Sequence, residues 1–249
     1  MKKNLKSWLL TFATLACMTG SANAIEITTP KAVVELFTSQ GCHSCPPADK
    51  VIGEFTQTNE ILGIGIHVDY WDYLGWKDQF ASKSNTQRQY DYAKSLQERQ
   101  VYTPQAVING QTHEVGSRKS RIEGLINQLQ KSGNGLTVAM NVSISGDTLN
   151  IAVPNEADAR DATLYLFSMS SKESVEIANG ENGGKTLQYH HILRSIQPIG
   201  MVKANGLSIN FPISELKKDG NDCYALILQK MDPRGNPSRI LSAVYMSNI

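Results

Sequence analysis

Cysteine is scarce in this chain: four residues in 249, with five histidines beside them. Charge of one sign is also missing. Twenty-four basic residues face twenty-three acidic ones, for a formal net charge of +1. Beyond the first two dozen residues, no apolar run is long enough to cross a bilayer. No repeat or low-complexity tract interrupts the sequence. These absences exclude several functions. A balanced charge gives no electrostatic footprint for a nucleic-acid partner. The lack of a long apolar run argues against membrane insertion. No histidine directly follows Cys45, so the motif for covalent haem attachment is missing.

The first 24 residues read as a secretory signal peptide. Lys2, Lys3 and Lys6 give the positive end, Trp8 to Met18 the apolar stretch, and Ala22-Asn23-Ala24 the cleavage site. The mature chain is expected to begin at Ile25. Cys17 raises a lipoprotein alternative, but Thr14-Leu15-Ala16 is a poor lipobox. Cleavage removes three lysines and no acid, which takes the charge from +1 to −2. The expected location is the periplasm or the exterior, where disulfides persist. Cys42, Cys45 and Cys223 then remain, an odd number that leaves one thiol without an obvious partner.

The stretch Val33-Val34-Glu35-Leu36-Phe37-Thr38-Ser39-Gln40-Gly41-Cys42-His43-Ser44-Cys45-Pro46-Pro47 organises the rest. Ala32 to Phe37 reads as a strand buried on both faces. Two prolines suit the first turn of a helix. A strand leading to C-x-x-C at a helix start suits thiol–disulfide exchange, because the helix terminus favours a thiolate. Cys42, nearer the loop and solvent, is the expected nucleophile, and Cys45 the resolving thiol. His43 is expected to donate a hydrogen bond or partial charge to the Cys42 thiolate, making the disulfide more oxidising. The alternative leaves its ring in solvent. A structural disulfide and half of a metal site are the other uses of such a pair.

Ile61 to Val68 follows as a second buried strand, completing a β-α-β unit. The segment His67 to Trp76 leaves it at the sheet edge that carries the cysteine loop. Tyr70 and Trp71 are expected to form a wall beside Cys42, the alternative being a hydrophobic plug under a long loop. Asp78 to Gln100 is helical in pattern. A proline before the short apolar strand Gln105 to Ile108 suggests a cis Thr103–Pro104 bond, and Asn109-Gly110 suggests a primed hairpin turn. Ser117 is expected to cap a helix from Arg118 to Gln130.

After the polar stretch Lys131 to Gly135 the period changes to two. Leu136 to Ile144 and seven later segments read as strands, which suggests an antiparallel β-sandwich. Cys223 opens one of them and reads as a buried apolar thiol. His190 and His191 alternate across another, so one of them, with Cys42 and Cys45, is the competing copper or zinc site.

C-x-x-C at a helix start, Thr103–Pro104 before a hairpin and a closing helix together resemble the thioredoxin fold. The resemblance implies that Pro104 lies against the disulfide and that the backbone of Thr103 pairs with the substrate chain. It also implies a buried acid that relays protons to the inner thiol, a role that falls on Glu35. The wording "ELFTSQGCHSCPPAD", "HVDYWDYLGWKD", "VYTPQAVING" and "NGENGGKTLQYHHILRS" looks like a family of exported bacterial proteins catalogued as a domain of unknown function. That resemblance implies a thioredoxin-like α/β domain over residues 25–132 and a β-rich extension over 136–249. It also suggests that the Asn179 to Lys185 loop meets the cysteines. The expected function is thiol–disulfide oxidoreductase, acting on thiol- or disulfide-bearing proteins or small thiols with a separate redox partner. The disulfide serves in place of any cofactor. The alternative is a metal- or protein-binding module with a structural C-x-x-C.

Overall fold

The computed structural model describes residues 25–218 and 220–249, so the expected signal peptide and Cys17 lie outside the described residues. β1 (Glu26–Thr28) is a short edge strand. β2 (Ala32–Thr38) and β3 (Ile61–His67) are buried at every position and run parallel. Continuous burial is what their near-continuous apolar pattern requires, Glu35 being the exception in β2. α1 (Pro46–Phe55) connects them. α2 (Lys83–Ser95) precedes β4 (Gln105–Ile108) and β5 (Thr112–Val115), an antiparallel hairpin beside β2. α3 (Lys119–Lys131) closes this half. α1 and α3 share a core with Val34, Leu36 and Ile108 on one sheet face. On the other, Tyr92 of α2 packs with Val33, Phe37 and Val107. No helix among the described residues is long and apolar enough to cross a membrane.

The second half is built from β6 (Asn141–Ser145), β7 (Thr148–Val153), β8 (Thr163–Glu176), β9 (Thr186–Met201), β10 (Leu207–Pro212), the one-turn α4 (Ile213–Lys217), β11 (Cys223–Met231) and β12 (Pro237–Ser247). It does not form a sheet apart from the first half. β9 pairs with β3, and one mixed nine-stranded sheet runs β1-β12-β11-β8-β9-β3-β2-β4-β5. Residues 131–135 are thus a connection in the chain and not a break in the sheet. Gly65 allows the join: a Cβ there would lie 3.3 Å from the His190 carbonyl oxygen. The remaining strands make a small sheet, β10-β7-β6. Leu149, Ile151 and Val153 of β7 alternate inward onto Leu164, Leu166, Leu226 and Val244. The opposite faces of those strands, through Phe167, Met169, Ala225 and Ile227, share the core of Val33, Phe37 and Tyr92.

Three expected element starts move. α2 begins at Lys83, where Ser82 Oγ accepts from Asn85 N at 3.1 Å, and not at Asp78, whose carboxylate is engaged elsewhere. α3 begins at Lys119 with Arg118 at its cap, so Ser117 is not the cap. Leu136 to Met140 precedes the first strand of the second half and is not part of it.

Candidate functional site

The end of β2 delivers the chain into a tight loop. Cys42 N donates to Ser39 O at 3.2 Å, and Cys45 N to Cys42 O at 3.2 Å. Cys45 then occupies the cap of α1, and Pro46 follows where a helix needs no N–H. Ala48 N and Asp49 N both donate to Cys45 O, at 2.8 and 3.1 Å. The loop brings the two Cα atoms to 5.4 Å, and Cys42 and Cys45 form a disulfide. Both cysteines are 0% exposed. Cys42, expected to lie nearer the solvent than Cys45, is as fully buried as its partner.

Its cover comes from the segments that bracket the sheet edge. Thr103 Oγ1 donates to Cys42 Sγ at 3.3 Å, and Trp71 Nε1 donates to Thr103 Oγ1 at 2.8 Å. Ser44 Oγ lies 3.5 Å from Cys42 Sγ and from the Thr103 carbonyl oxygen. The Thr103–Pro104 bond is cis, as the sequence suggests, and Pro104 is buried. Trp71 also packs on Gly41, where a Cβ would meet its backbone oxygen at 3.3 Å. Tyr70 stands one step back. Its hydroxyl donates to Gln89 Oε1 at 3.1 Å, and burial pushes its pKa up to about 12.

The β8–β9 loop fastens the backbone of the cysteine loop. Asn182 Nδ2 donates to Gln40 O and to Cys42 O, both at 2.9 Å. Glu181 Oε2 accepts from His43 N at 3.0 Å, and the His43 residue itself is exposed. Trp76 Nε1 donates to Gln40 Oε1 at 2.8 Å on the same side. Sequence reasoning did not single out Asn182 or Glu181. The one available signal was the recurrence of the glycine-rich loop around them.

A buried polar cluster lies beneath. Thr38 Oγ1 donates to Asp49 Oδ1 at 2.8 Å, one helical turn from Cys45. His67 Nδ1 and Asp78 Oδ2 are 2.7 Å apart, and Gln40 N donates to the same Asp78 oxygen at 2.8 Å. Asp49, His67 and Tyr189 lie around a gap too small to hold a water molecule. Asp49 Oδ2, His67 Nε2 and the Tyr189 hydroxyl have no hydrogen-bond partner among the described residues. Burial raises the Asp49 pKa from 3.8 to about 7, partly opposed by His67 and Thr38. Burial works against the Asp78 charge too, but His67 and the two backbone donors, Gln40 and Phe80, hold its pKa below the usual value. An acid near neutrality can give or take a proton at working pH.

Glu35 is buried, but its carboxylate is committed elsewhere. Oε1 accepts from Arg88 Nε at 2.7 Å and Oε2 from the Tyr92 hydroxyl. The acid placed on the cysteine helix is Asp49, which sequence reasoning missed.

The Asp49 shift has a consequence for stability. The folded protein keeps a proton on Asp49 up to about pH 7, while the unfolded chain releases it near 3.8. Between those values the folded state binds more protons, so stability falls as pH rises through the window. Asp49→Asn is expected to flatten that slope and to be more stable than the parent at about pH 8. Urea midpoints at about pH 5 and pH 8 measure it; parallel shifts in both proteins would refute the assignment.

The histidines of the competing metal reading are held apart from the cysteines. His190 packs on Gly53, about two helical turns beyond Cys45, and His191 Nδ1 lies 2.9 Å from Gly63 O. Cys223 is buried, and burial pushes its thiol well above the ordinary value, which keeps it protonated and inert.

Fold and site together define a mixed α/β protein, built on one large sheet, with a C-x-x-C disulfide at a helix start. The chain belongs to the family described as protein of unknown function DUF1223, whose model matches residues 33–229. A crystal structure of an Agrobacterium tumefaciens protein, a structural-genomics target, is 34% identical, with a TM-score of 0.80 over 89% of this chain and 96% of that one. HBP35 of Porphyromonas gingivalis shares the fold at 14% identity, with a TM-score of 0.59 over 88% of this chain and 75% of that one. No curated protein matches the chain.

Proposed function

We propose that the protein is an exported thiol–disulfide oxidoreductase whose working group is the Cys42–Cys45 disulfide. One observation carries the reading. The disulfide stands at the start of α1, with Thr103 Oγ1 against Cys42 Sγ at 3.3 Å. The order β3-β2-β4-β5, with α1 and α3 on one face and α2 on the other, supports a thioredoxin-like layer. The small sheet packed over β8, β11 and β12 supports a sandwich-like second half.

The chemistry balances as follows. A substrate thiolate attacks Cys42 Sγ, the Cys42–Cys45 bond breaks, and Cys45 leaves as a thiolate. Asp49, one helical turn from Cys45 and raised toward neutrality, is the acid we assign to supply the proton Cys45 then takes. A second substrate thiol, losing its proton, attacks the mixed disulfide and releases Cys42. Two substrate thiols become one substrate disulfide, and the protein disulfide becomes a dithiol; the reverse sequence reduces a substrate. Thr103 and Trp71 shape the entrance.

The test equilibrates the protein with a glutathione redox buffer, follows the two thiols by alkylation and mass, and measures bound metal. A reversible two-electron couple in metal-free protein is expected. Cys45→Ser is expected to accumulate mixed disulfides through Cys42. Stoichiometric zinc or copper lost on Cys42→Ser, with no couple, would replace this reading by a metal-binding one.

A further inference from the structure

We propose that Asn182 is a positioning residue for the cysteine pair, a latch carried by the second half of the chain that must release before Cys42 can react. The inference rests on the thiol–disulfide reading, and it concerns how that site is reached. Its starting point is a contrast within one loop. Residues 178–181 and 183–186 are exposed, while Asn182 between them is 0% exposed. A polar side chain driven inward from an exposed loop requires hydrogen bonds at its destination. Asn182 finds them on the backbone of the cysteine loop. Its amide donates to the carbonyls of Gln40 and Cys42, on either side of Gly41.

The rest of the loop is shaped to present that side chain. Gly184 N donates to Ile177 O at 2.7 Å and Ile177 N to Lys185 O at 2.9 Å, which ties the loop's base. Gly180 and Gly184 take positive φ, of 78° and 79°. Lys185 Nζ donates to Asn182 Oδ1 at 2.9 Å, which fixes the amide so that its NH₂ faces the cysteine loop. Glu181 adds a second fastening at His43 N. Nothing in this arrangement is covalent, and the loop's remaining residues are solvated. Such a segment belongs to the low-stability end of a structure, able to open without global unfolding.

With the latch closed, the backbone of the cysteine loop is held where Cys42 has no exposed surface and its sulfur lies against Thr103 and Ser44, so a thiolate reaches that sulfur only when the loop shifts. Exchange then proceeds through a minor open state, and its observed rate carries the fraction of molecules open. Removing the Asn182 amide removes two hydrogen bonds from the closed state. At the usual net value of such bonds the open fraction should rise roughly tenfold.

The experiment reduces the oxidised protein with dithiothreitol under pseudo-first-order conditions. One reagent thiolate attacks Cys42 Sγ, and Cys45 leaves and takes a proton. The second reagent thiol then closes the reagent's own ring and frees Cys42, so two electrons pass to the protein. In the parent protein the reduction rate is expected to level off at high dithiothreitol, where opening becomes limiting. In Asn182→Ala it is expected to be roughly tenfold faster at low reagent and to stay linear further. Glu181→Gln keeps an acceptor for His43 N and serves as the milder second variant, with a smaller acceleration expected. A parent rate that stays linear to the highest reagent concentration and equals that of both variants would overturn the latch while leaving the redox reading intact. A cysteine pair that cannot be reversibly reduced at all would sink the redox reading instead. Because the levelling-off is read in the parent protein, failure of a variant to fold does not remove the test.

Discussion

Glu35→Ala is expected to lose about 3–5 kcal/mol of folding stability. The carboxylate is wholly buried and its partner Arg88 nearly so, with side chains 0% and 11% exposed. Arg88 makes further bonds to the Tyr92 hydroxyl at 3.2 Å and to Gln229 Oε1 at 3.1 Å, and it lies between the rings of Tyr92 and Phe167. Burial opposes the Arg88 charge, but Glu35 holds its pKa above the ordinary value. Deleting the acid leaves that cation desolvated and unpaired, which costs far more than the pair's net worth. The double variant Glu35→Leu/Arg88→Met should recover most of the loss, because no uncompensated charge remains. Urea denaturation measures both. The same variants separate two roles for Glu35. A structural acid leaves the Cys42–Cys45 equilibrium with glutathione unchanged in folded protein, while a proton relay to the thiols does not. A loss below about 1 kcal/mol in Glu35→Ala would mean that water reaches Arg88 and the network is not closed.

Gly110→Ala is expected to lose about 3 kcal/mol, with a fall in Tm of roughly 6–12 °C for a chain of this size. The hairpin tip carries positive φ at both Asn109 and Gly110, 48° and 66°. It is also buried between the halves. Asn109 exchanges bonds with the backbone of Val33, and Ile240 N donates to Asn109 O at 2.9 Å. A Cβ at position 110 would sit 2.1 Å from the Ser238 carbonyl oxygen, so that backbone must move. Gly133 provides the control, with φ of 73° and nothing within 4 Å of a Cβ. Gly133→Ala should show the conformational cost alone, about 1–2 kcal/mol. Equal losses in the two variants, by thermal melts, would mean that the β12 contact yields freely.

What the sequence discloses here is mostly what neighbours in the chain determine. The run Val33 to Phe37 followed by C-x-x-C and two prolines specifies a strand, a loop and a helix start within fifteen residues. Asn109-Gly110 specifies its turn, and alternation along Leu149 to Val153 specifies a strand with one buried face. The partners across the chain were not legible. Glu35, alone among apolar residues, announces a buried partner, but nothing local points to Arg88 or to Gln229. Gly65 inside a strand was a missed signal, since glycine there marks the close approach of another backbone, here that of His190. The family resemblance pointed to the Asn179 to Lys185 loop but not to Asn182 within it: an asparagine in a glycine-rich loop reads as turn chemistry, and its burial depends on a cysteine loop some 140 positions away. The contacts at the Cys42 sulfur are equally remote in sequence, since Thr103 lies 61 positions on.

The pairing of β1 with β12 has a kinetic side. Glu26 is opposite Ser247 and Thr28 opposite Tyr245, so the first strand described and the last are neighbours at one edge of the sheet. β3 likewise waits for β9. Contacts between such remote positions require large loops to close before any reward is gained, which places the chain among slow, high-contact-order folders. The cysteine-bearing half can form its hairpin and helices early, but the edge of its β3 strand stays unpaired until the later strands exist. Completion of the cysteine site, with Asn182 seated, therefore comes late in folding, after most of the polypeptide is available.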